Sequence, residues 1–221
     1  MSTLEARGES RSMISLGFDE EPHPRGTHMC FIFNDEDERR WVMSKFIQSG
    51  LDANEQVCYF VDTMSPEDLK KWMREQGVTL PDELEGRQYS FLEAENTYCP
   101  DGTFKVDRMI DTVGEAHYRS IREGYVGARG TGEMTWSTRG HAGSENLAEY
   151  ECRLNILVRT VPITAVCQYD AQRFDGATLY DILSVHPMMI VHGQVVRNPY
   201  YVEAEEFLAK LAAARPRPLD V

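Results

Sequence analysis

Short apolar runs alternate with amphipathic stretches along most of the chain. Residues 28–33 predict a strand, and the acidic turn after them leads into a helix carrying Trp41, Val42, Phe46 and Ile47. A second, uniformly apolar strand is expected at 56–61 and a third at 89–92. Between these two, Ser65 is placed to cap a helix that has Pro66 at its first position. A turn at 100–102 precedes a long amphipathic helix marked by Val106, Met109, Val113 and Ile121. Residues 125–131 read as a strand broken by glycine, running out into 132–137. Leu147, Tyr150, Leu154 and Leu157 line one face of a further helix, followed by a strand at 163–167 and a helix at 179–185. Residues 188–191 and 194–196, joined through His192 and Gly193, predict a hairpin, and 203–213 a last helix.

Strands that are apolar on both faces and separated by helices imply a mainly parallel sheet between helix layers. The expected architecture is one α/β domain, a three-layer sandwich, over residues 27–212. Residues 1–26 read as a flexible leader and 213–221 as a flexible tail. In such sheets ligands sit beyond the carboxyl ends of the strands, which directs attention to the loops there.

The first such loop argues against nucleotide chemistry. A phosphate cradle needs glycines whose backbone N–H groups converge on the anion, and a Lys to neutralise it. Residues 34–40 instead read Asn-Asp-Glu-Asp-Glu-Arg-Arg, with four carboxylates and no glycine. The acidic residues are expected to satisfy the positive end of the helix dipole, with Arg39 and Arg40 on the solvated first turn. Signatures of serine hydrolases, zinc peptidases and dinucleotide enzymes are also missing from the sequence.

Composition sharpens this. Of 221 residues, 36 are Asp or Glu against 23 Lys or Arg, a formal charge of −13 that repels a phosphate backbone. Direct nucleic-acid binding is therefore not expected. Five scattered cysteines (Cys30, Cys58, Cys99, Cys152 and Cys167) without a CxxC spacing read as reduced thiols of a cytoplasmic protein. No apolar run is long enough for a membrane span and no signal-peptide pattern is present, so no membrane partner is expected.

Polar chemistry gathers near the strand ends. Glu133, Trp136 and Arg139 follow the fourth strand of the main alternation, and Gln168, Tyr169 and Asp170 follow the fifth. If the two strands are neighbours, Glu133, Trp136, Gln168 and Tyr169 can face one cavity with aromatic walls and a few orienting polar groups. The alternative is that Trp136 plugs the sheet end while Asp170 pairs with an arginine. His28 and His186 stand at element boundaries, where capping or core hydrogen bonding is the ordinary role. With Cys30 and Cys167 they offer a soft metal or haem site, although no local ligand spacing points to one. Glu149 and Arg153 have the spacing of a helix ion pair, on the same helix as Glu151 and Asn155.

Seven segments occur in an order that resembles the MEDS family, the methanogen and methylotroph sensory domain of DcmR-type regulators. They are His28-x-Cys-x-Phe, 55–61 (Glu-Gln-Val-Cys-Tyr-Phe-Val), 97–104 (Thr-Tyr-Cys-Pro-Asp-Gly-Thr-Phe), 132–136 (Gly-Glu-Met-Thr-Trp), Tyr150-Glu-x-Arg-Leu-Asn, 167–170 (Cys-Gln-Tyr-Asp) and His186-Pro. The resemblance spans about residues 27–201, and Thr135 stands where many relatives have Ser. It implies a sensor of simple hydrocarbon derivatives. The passage from Trp41 to Asp62 with the helix after it is similar to that of KaiC and RecA-type ATPases, implying a RecA-like sheet with a degenerate P-loop. Carried over by position, the family's motif residues are His28, Tyr98, Glu133, Trp136, Tyr150, Arg153, Asn155, Gln168, Tyr169, Asp170 and His186.

Together these readings predict a non-enzymatic, ligand-sensing protein of prokaryotic signal transduction or transcription control. A small organic ligand is expected at the carboxyl ends of the strands, among His28, Tyr98, Glu133, Trp136, Arg139, Gln168, Tyr169, Asp170 and His186. No helix-turn-helix or kinase pattern occurs, so the signal should pass to a separate output protein: a kinase, a sigma-factor regulator or a DNA-binding regulator. A homo-oligomer is compatible with the same pattern. The alternative is a ligand-independent interaction subunit. An enzyme using Glu133 beside Tyr169, with Cys167 as nucleophile, ranks last.

Overall fold

A seven-stranded sheet organises the chain, as the computed structural model of residues 11–214 shows. The elements in chain order are β1 (Met13–Ile14), β2 (His23–Pro24), β3 (His28–Phe33), α1 (Glu36–Asp52), β4 (Gln56–Val61), α2 (Pro66–Glu75), β5 (Tyr89–Glu93), α3 (Ala94–Tyr98) and α4 (Val106–Arg122). They continue with β6 (Ala128–Glu133), α5 (Leu147–Leu157), β7 (Thr164–Asp170), α6 (Gly176–Val185), β8 (Met188–Val191), β9 (Gln194–Arg197) and α7 (Ala204–Ala214). The strand order is β5-β4-β6-β7-β3-β8-β9, parallel throughout except for the final hairpin β8–β9. That hairpin turns through His192 and Gly193, both at positive φ (49° and 69°), the backbone of a two-residue type I′ turn.

Strand alternation divides the core into two faces. Met29, Phe31, Val57, Tyr59, Tyr89, Phe91 and Val166 point to one side, where Val42, Met43, Phe46 and Ile47 of α1 and Leu69, Trp72 and Met73 of α2 cover them. Cys30, Ala128, Ala165, Cys167 and Tyr169 point to the other, under α4, α5 and α6. Helix starts follow local chemistry. Asp35 accepts from the N–H groups of Asp37 (2.8 Å) and Glu38 (3.2 Å), and Ser65 from that of Asp68 (3.1 Å).

The expected leader is corrected in part. Residues 11–26 pack on the sheet: β1 pairs with β2, and Ile14, Leu16 and Phe18 are buried in the α1-side core. Their apolar positions alternate, but the run is too short and too interrupted by charge to stand out as a strand. A buried ion cluster fastens this segment. Glu55 receives both Arg25 and Arg129, and Arg129 also donates to the carbonyls of Phe46 (2.9 Å) and Ser15 (3.2 Å). A Cβ on Gly50 would lie 2.6 Å from the Arg129 side chain, so glycine there makes room for the guanidinium stem. Residues 1–10 and 215–221, the remainder of the expected leader and most of the expected tail, lie outside the described residues.

Candidate functional site

Arg39 lies inside the protein, not on the solvated first turn expected for it. Its side chain is 1% exposed and donates to Glu133 (2.8 Å), Tyr59 (3.0 Å) and Gln168 (3.3 Å), with Glu36 beside it. The second oxygen of Glu133 accepts from the backbone N–H groups of Asp62 (2.8 Å) and Thr63 (2.7 Å). Gln168 donates to Thr131 Oγ1 at 2.8 Å. Every strong hydrogen-bonding group of this cluster is engaged within the protein. Burial opposes the charge on Arg39, but the surrounding oxygens, with Tyr59 foremost and then Glu36 and Glu133, hold its pKa above the ordinary value.

The expectation that Glu133, Trp136, Gln168 and Tyr169 face one cavity is therefore corrected. β6 and β7 are neighbours, with Glu133 opposite Gln168, but consecutive residues of a strand point to opposite faces. Glu133 and Gln168 point toward α1, whereas Tyr169 points toward α5 and donates to Glu151 Oε1 at 2.6 Å. Trp136, in the 3-10 turn Met134–Arg139, is fully buried and stacks on Tyr98 (4.7 Å between centroids, 15° between planes). Arg139 pairs with Asp62 (2.8 Å) and Glu95 (2.7 Å), and Asp170 with Arg173 (3.2 Å), both near the surface. The pairing of Glu133 with Tyr169 in the enzyme reading is corrected too, since the sheet separates them. Cys167 lies 3.4 Å from His28 Nε2 and 3.3 Å from Glu151 Oε2, and burial raises its thiol well above its ordinary pKa.

The two histidines do converge. His28 at the start of β3 and His186 at the end of α6 bring their rings to 4.5 Å, and Glu151 of α5 and Cys167 of β7 complete a fully enclosed group of four. Cys30, named with them from the sequence, is not one of the four. Burial works against the Glu151 charge, but the adjoining His186 and His28 hold its pKa well below the carboxylate range. Burial, and then His186, lower the pKa of His28.

Open space lies elsewhere on the same side of the sheet. A cavity of about 1250 Å³ runs between α4 and α5 above and β4, β6 and β7 below, reaching the edge strand β5. Its floor is kept low by Cys58, Gly130, Gly132 and Cys167, and Phe60, Tyr98, Phe104 and Tyr150 form aromatic walls. A Cβ on Gly130 would meet one atom, the Cys58 carbonyl oxygen at 3.7 Å, whereas one on Gly132 would press on Tyr98 Oη at 2.5 Å. Burial raises the Cys58 thiol to about 12 against the pull of Arg119, so it presents a neutral surface. Leu92, Arg119 and Arg122 stand at the rim. Of the expected ligand-binding residues, Tyr98 alone lines this space. The alternating Gly130-Thr131-Gly132 was the signal that points to it, since glycine inside a strand marks a close approach or an unfilled face.

With this geometry in place, comparison defines the class. The chain belongs to the MEDS family, the methanogen/methylotroph, DcmR sensory domain, whose profile matches residues 27–187. It is similar to the transcriptional repressor DcmR of Methylorubrum extorquens (strain DSM 6343 / CIP 106787 / DM4), 23% identical over 161 residues, which are 72% of this chain and 57% of the repressor. The chain thus spans a little over half of that relative's length. Among solved structures it is similar to a KaiC-like protein of Pyrococcus horikoshii OT3 (TM-score 0.60, 13% identity, covering 82% of this chain and 81% of that one). It is also similar to the flagellar accessory protein FlaH of Methanocaldococcus jannaschii (TM-score 0.59, 13% identity, 83% of each chain). The fold is therefore KaiC/RecA-like, while the chain passes from β3 through Asn34 directly to the Asp35 cap of α1 with no glycine loop. Family and relative together point to a sensory or regulatory role. Among the described residues, no helix is long and apolar enough to cross a membrane.

Proposed function

We propose that the chain is the sensing module of a transcription-control or signalling system, and that it holds a small, largely apolar organic molecule in the cleft beneath α4. The open floor at Gly130 carries this reading, with Gly132 making room for Tyr98 beside it. Side chains there would fill the floor, as they do on the opposite face of the same strands. The walls are aromatic and thiol groups suited to an apolar body, while Ser90 and Arg119 stand ready for one polar end. We prefer this cleft to the expected carboxyl-end site, because Glu133, Arg139, Gln168, Tyr169 and Asp170 are engaged by other side chains of the protein. Occupation would press on α4, which forms the roof, and bias the surface that a separate output protein reads. DcmR is a repressor, and the simplest counterpart here is a module that informs a DNA-binding or kinase partner without touching nucleic acid itself.

Gly130→Leu supplies the test, since the added side chain enters open space. Saturable binding of a fluorescent apolar probe such as anilinonaphthalene sulfonate is expected in the wild type, with a change in Trp136 emission relayed through the stacked Tyr98. The variant should lose both at a stability within about 1 kcal/mol of the parent. Undiminished probe binding in the variant would reject the cleft as the site. A second reading, docking without a ligand, draws on exposed Tyr118, Ile121 and Val126 around the end of α4. Partner capture unaffected by Gly130→Leu and independent of any ligand would favour it.

A further inference from the structure

The enclosed group around Glu151 is not needed for the cleft reading, and its hydrogen-bonding pattern poses a separate chemical problem. His186 Nδ1 lies 2.7 Å from the carbonyl oxygen of Ile182, which can only accept, so Nδ1 carries the proton and Nε2 presents a lone pair. His28 Nδ1 lies 2.7 Å from Asn155 Oδ1, and Asn155 is held in that orientation because its amide nitrogen donates to the carbonyl of Val185. His28 Nε2 therefore also presents a lone pair inward. Both lone pairs meet Glu151 Oε2, with the Cys167 S–H as the one donor among the four groups. His186 Nε2 has no hydrogen-bond partner although the residue is fully buried. With both rings neutral, a buried cluster so rich in acceptors suits a positive centre.

The distances suit one. His28 Nε2 is 3.2 Å from Glu151 Oε2 and 3.4 Å from Cys167 Sγ. Glu151 Oε2 is 3.3 Å from Cys167 Sγ and 3.4 Å from His186 Nε2. All four atoms lie within 4.8 Å of one another. A tetrahedral ion with bonds of about 2.0–2.3 Å spaces its ligands about 3.3–3.8 Å apart, so small adjustments would complete the shell. We propose that His28 Nε2, His186 Nε2, Cys167 Sγ and Glu151 Oε2 bind one divalent transition-metal ion, with zinc the preferred occupant. The donor set is of the mixed nitrogen, sulfur and carboxylate type that zinc takes, and one thiolate with one carboxylate cancels its charge. Asn155 and the Ile182 carbonyl hold the two imidazoles by their far nitrogens, the usual outer support of metal-binding histidines. A surface cleft of about 350 Å³ borders the outer side of this group at His28 and Asn155. The ion would tie β3, α5, β7 and the end of α6 together, with the Cys167 ligand forming part of the cleft wall.

The test uses the full chain, stripped with a chelator and titrated with Co²⁺ and Zn²⁺. Expected are one equivalent of metal per chain, a thiolate-to-cobalt charge-transfer band with the visible bands of a tetrahedral ion, and a higher Tm with zinc. Cys167→Ser should lose the charge-transfer band, and His186→Ala should weaken zinc binding at least about tenfold. Asn155→Ala, which leaves all four ligands in place, should weaken it by about ten- to a hundredfold. Stripped wild-type protein that shows neither a cobalt spectrum nor a rise in Tm with zinc would overturn the assignment, whether or not the variants fold. A charge-transfer band surviving in Cys167→Ser would overturn it as well. Probe binding in the cleft is a different readout, so failure of either proposal leaves the other standing.

Discussion

The two faces of the sheet use the same strands to opposite ends. On the α1 side, Tyr59, Thr131, Glu133 and Gln168 meet Arg39 in a network whose donors and acceptors are matched, and aliphatic and aromatic side chains fill the remainder. On the α4–α5 side the intervening positions of those strands are Cys58, Gly130, Gly132 and Cys167, and a large cleft and an acceptor-rich cluster lie above them. Buried charge is thus matched by protein partners on one face, while on the other it belongs to the group proposed to bind a metal. What distinguishes them is whether the hydrogen-bonding groups are already satisfied.

The largest expected effect comes from breaking the satisfied face. Glu133→Ala would leave Arg39 without its buried carboxylate and two backbone N–H groups without an acceptor, and should cost about 3–5 kcal/mol in denaturant unfolding. A loss below 1 kcal/mol would show that this cluster is as loosely determined as the open face. Next, Leu16→Ala tests whether the N-terminal segment belongs to the same core, with an expected loss of about 2–4 kcal/mol and no change in probe binding beneath α4. Gly130→Leu sharpens the contrast from the other side, since adding a side chain to the open face should change stability by no more than about 1 kcal/mol.

The smallest effect concerns pH. Partial burial of Glu36 opposes its charge, but hydrogen bonds and charge from Arg39, and then Arg40, outweigh it and lower its pKa. The stabilisation is complete above the free carboxyl range of about pH 4.3 and fades as the pH falls through the lower folded value. Glu36→Gln should therefore cost under about 1 kcal/mol at pH 7, and the difference from wild type should shrink by about pH 3. Unfolding curves at the two pH values measure it.

Much of the architecture is legible along the chain because it rests on local periodicity. The strands at 28–33 and 56–61 fall where their apolar runs predict, and Ser65 caps α2 as its position implies. The Asp35 cap likewise agrees with the acidic turn. Arg39 is the instructive miss. An arginine in an acidic first turn has the pattern of a solvated residue, and nothing near it in sequence reveals that Tyr59, Glu133 and Gln168 come from three other strands to receive it. Residues 14–18 are missed for a related reason, since a short alternating segment gains its stability from the sheet it covers.

Chain order and residue pattern by themselves determined the alternation of strands and helices, the mainly parallel sheet, the glycine-free turn after the first long strand and the family motifs. Each depends on near neighbours or on side-chain period. Tertiary structure alone decided which motif residues meet. It sent the adjacent Gln168 and Tyr169 to opposite faces, gathered His28, Glu151, Cys167 and His186 into one enclosed group, and left the space above Gly130 open. The physical reason is that a buried polar group is defined by the partners that surround it, and partners such as His28 and Cys167 lie 139 positions apart in the chain.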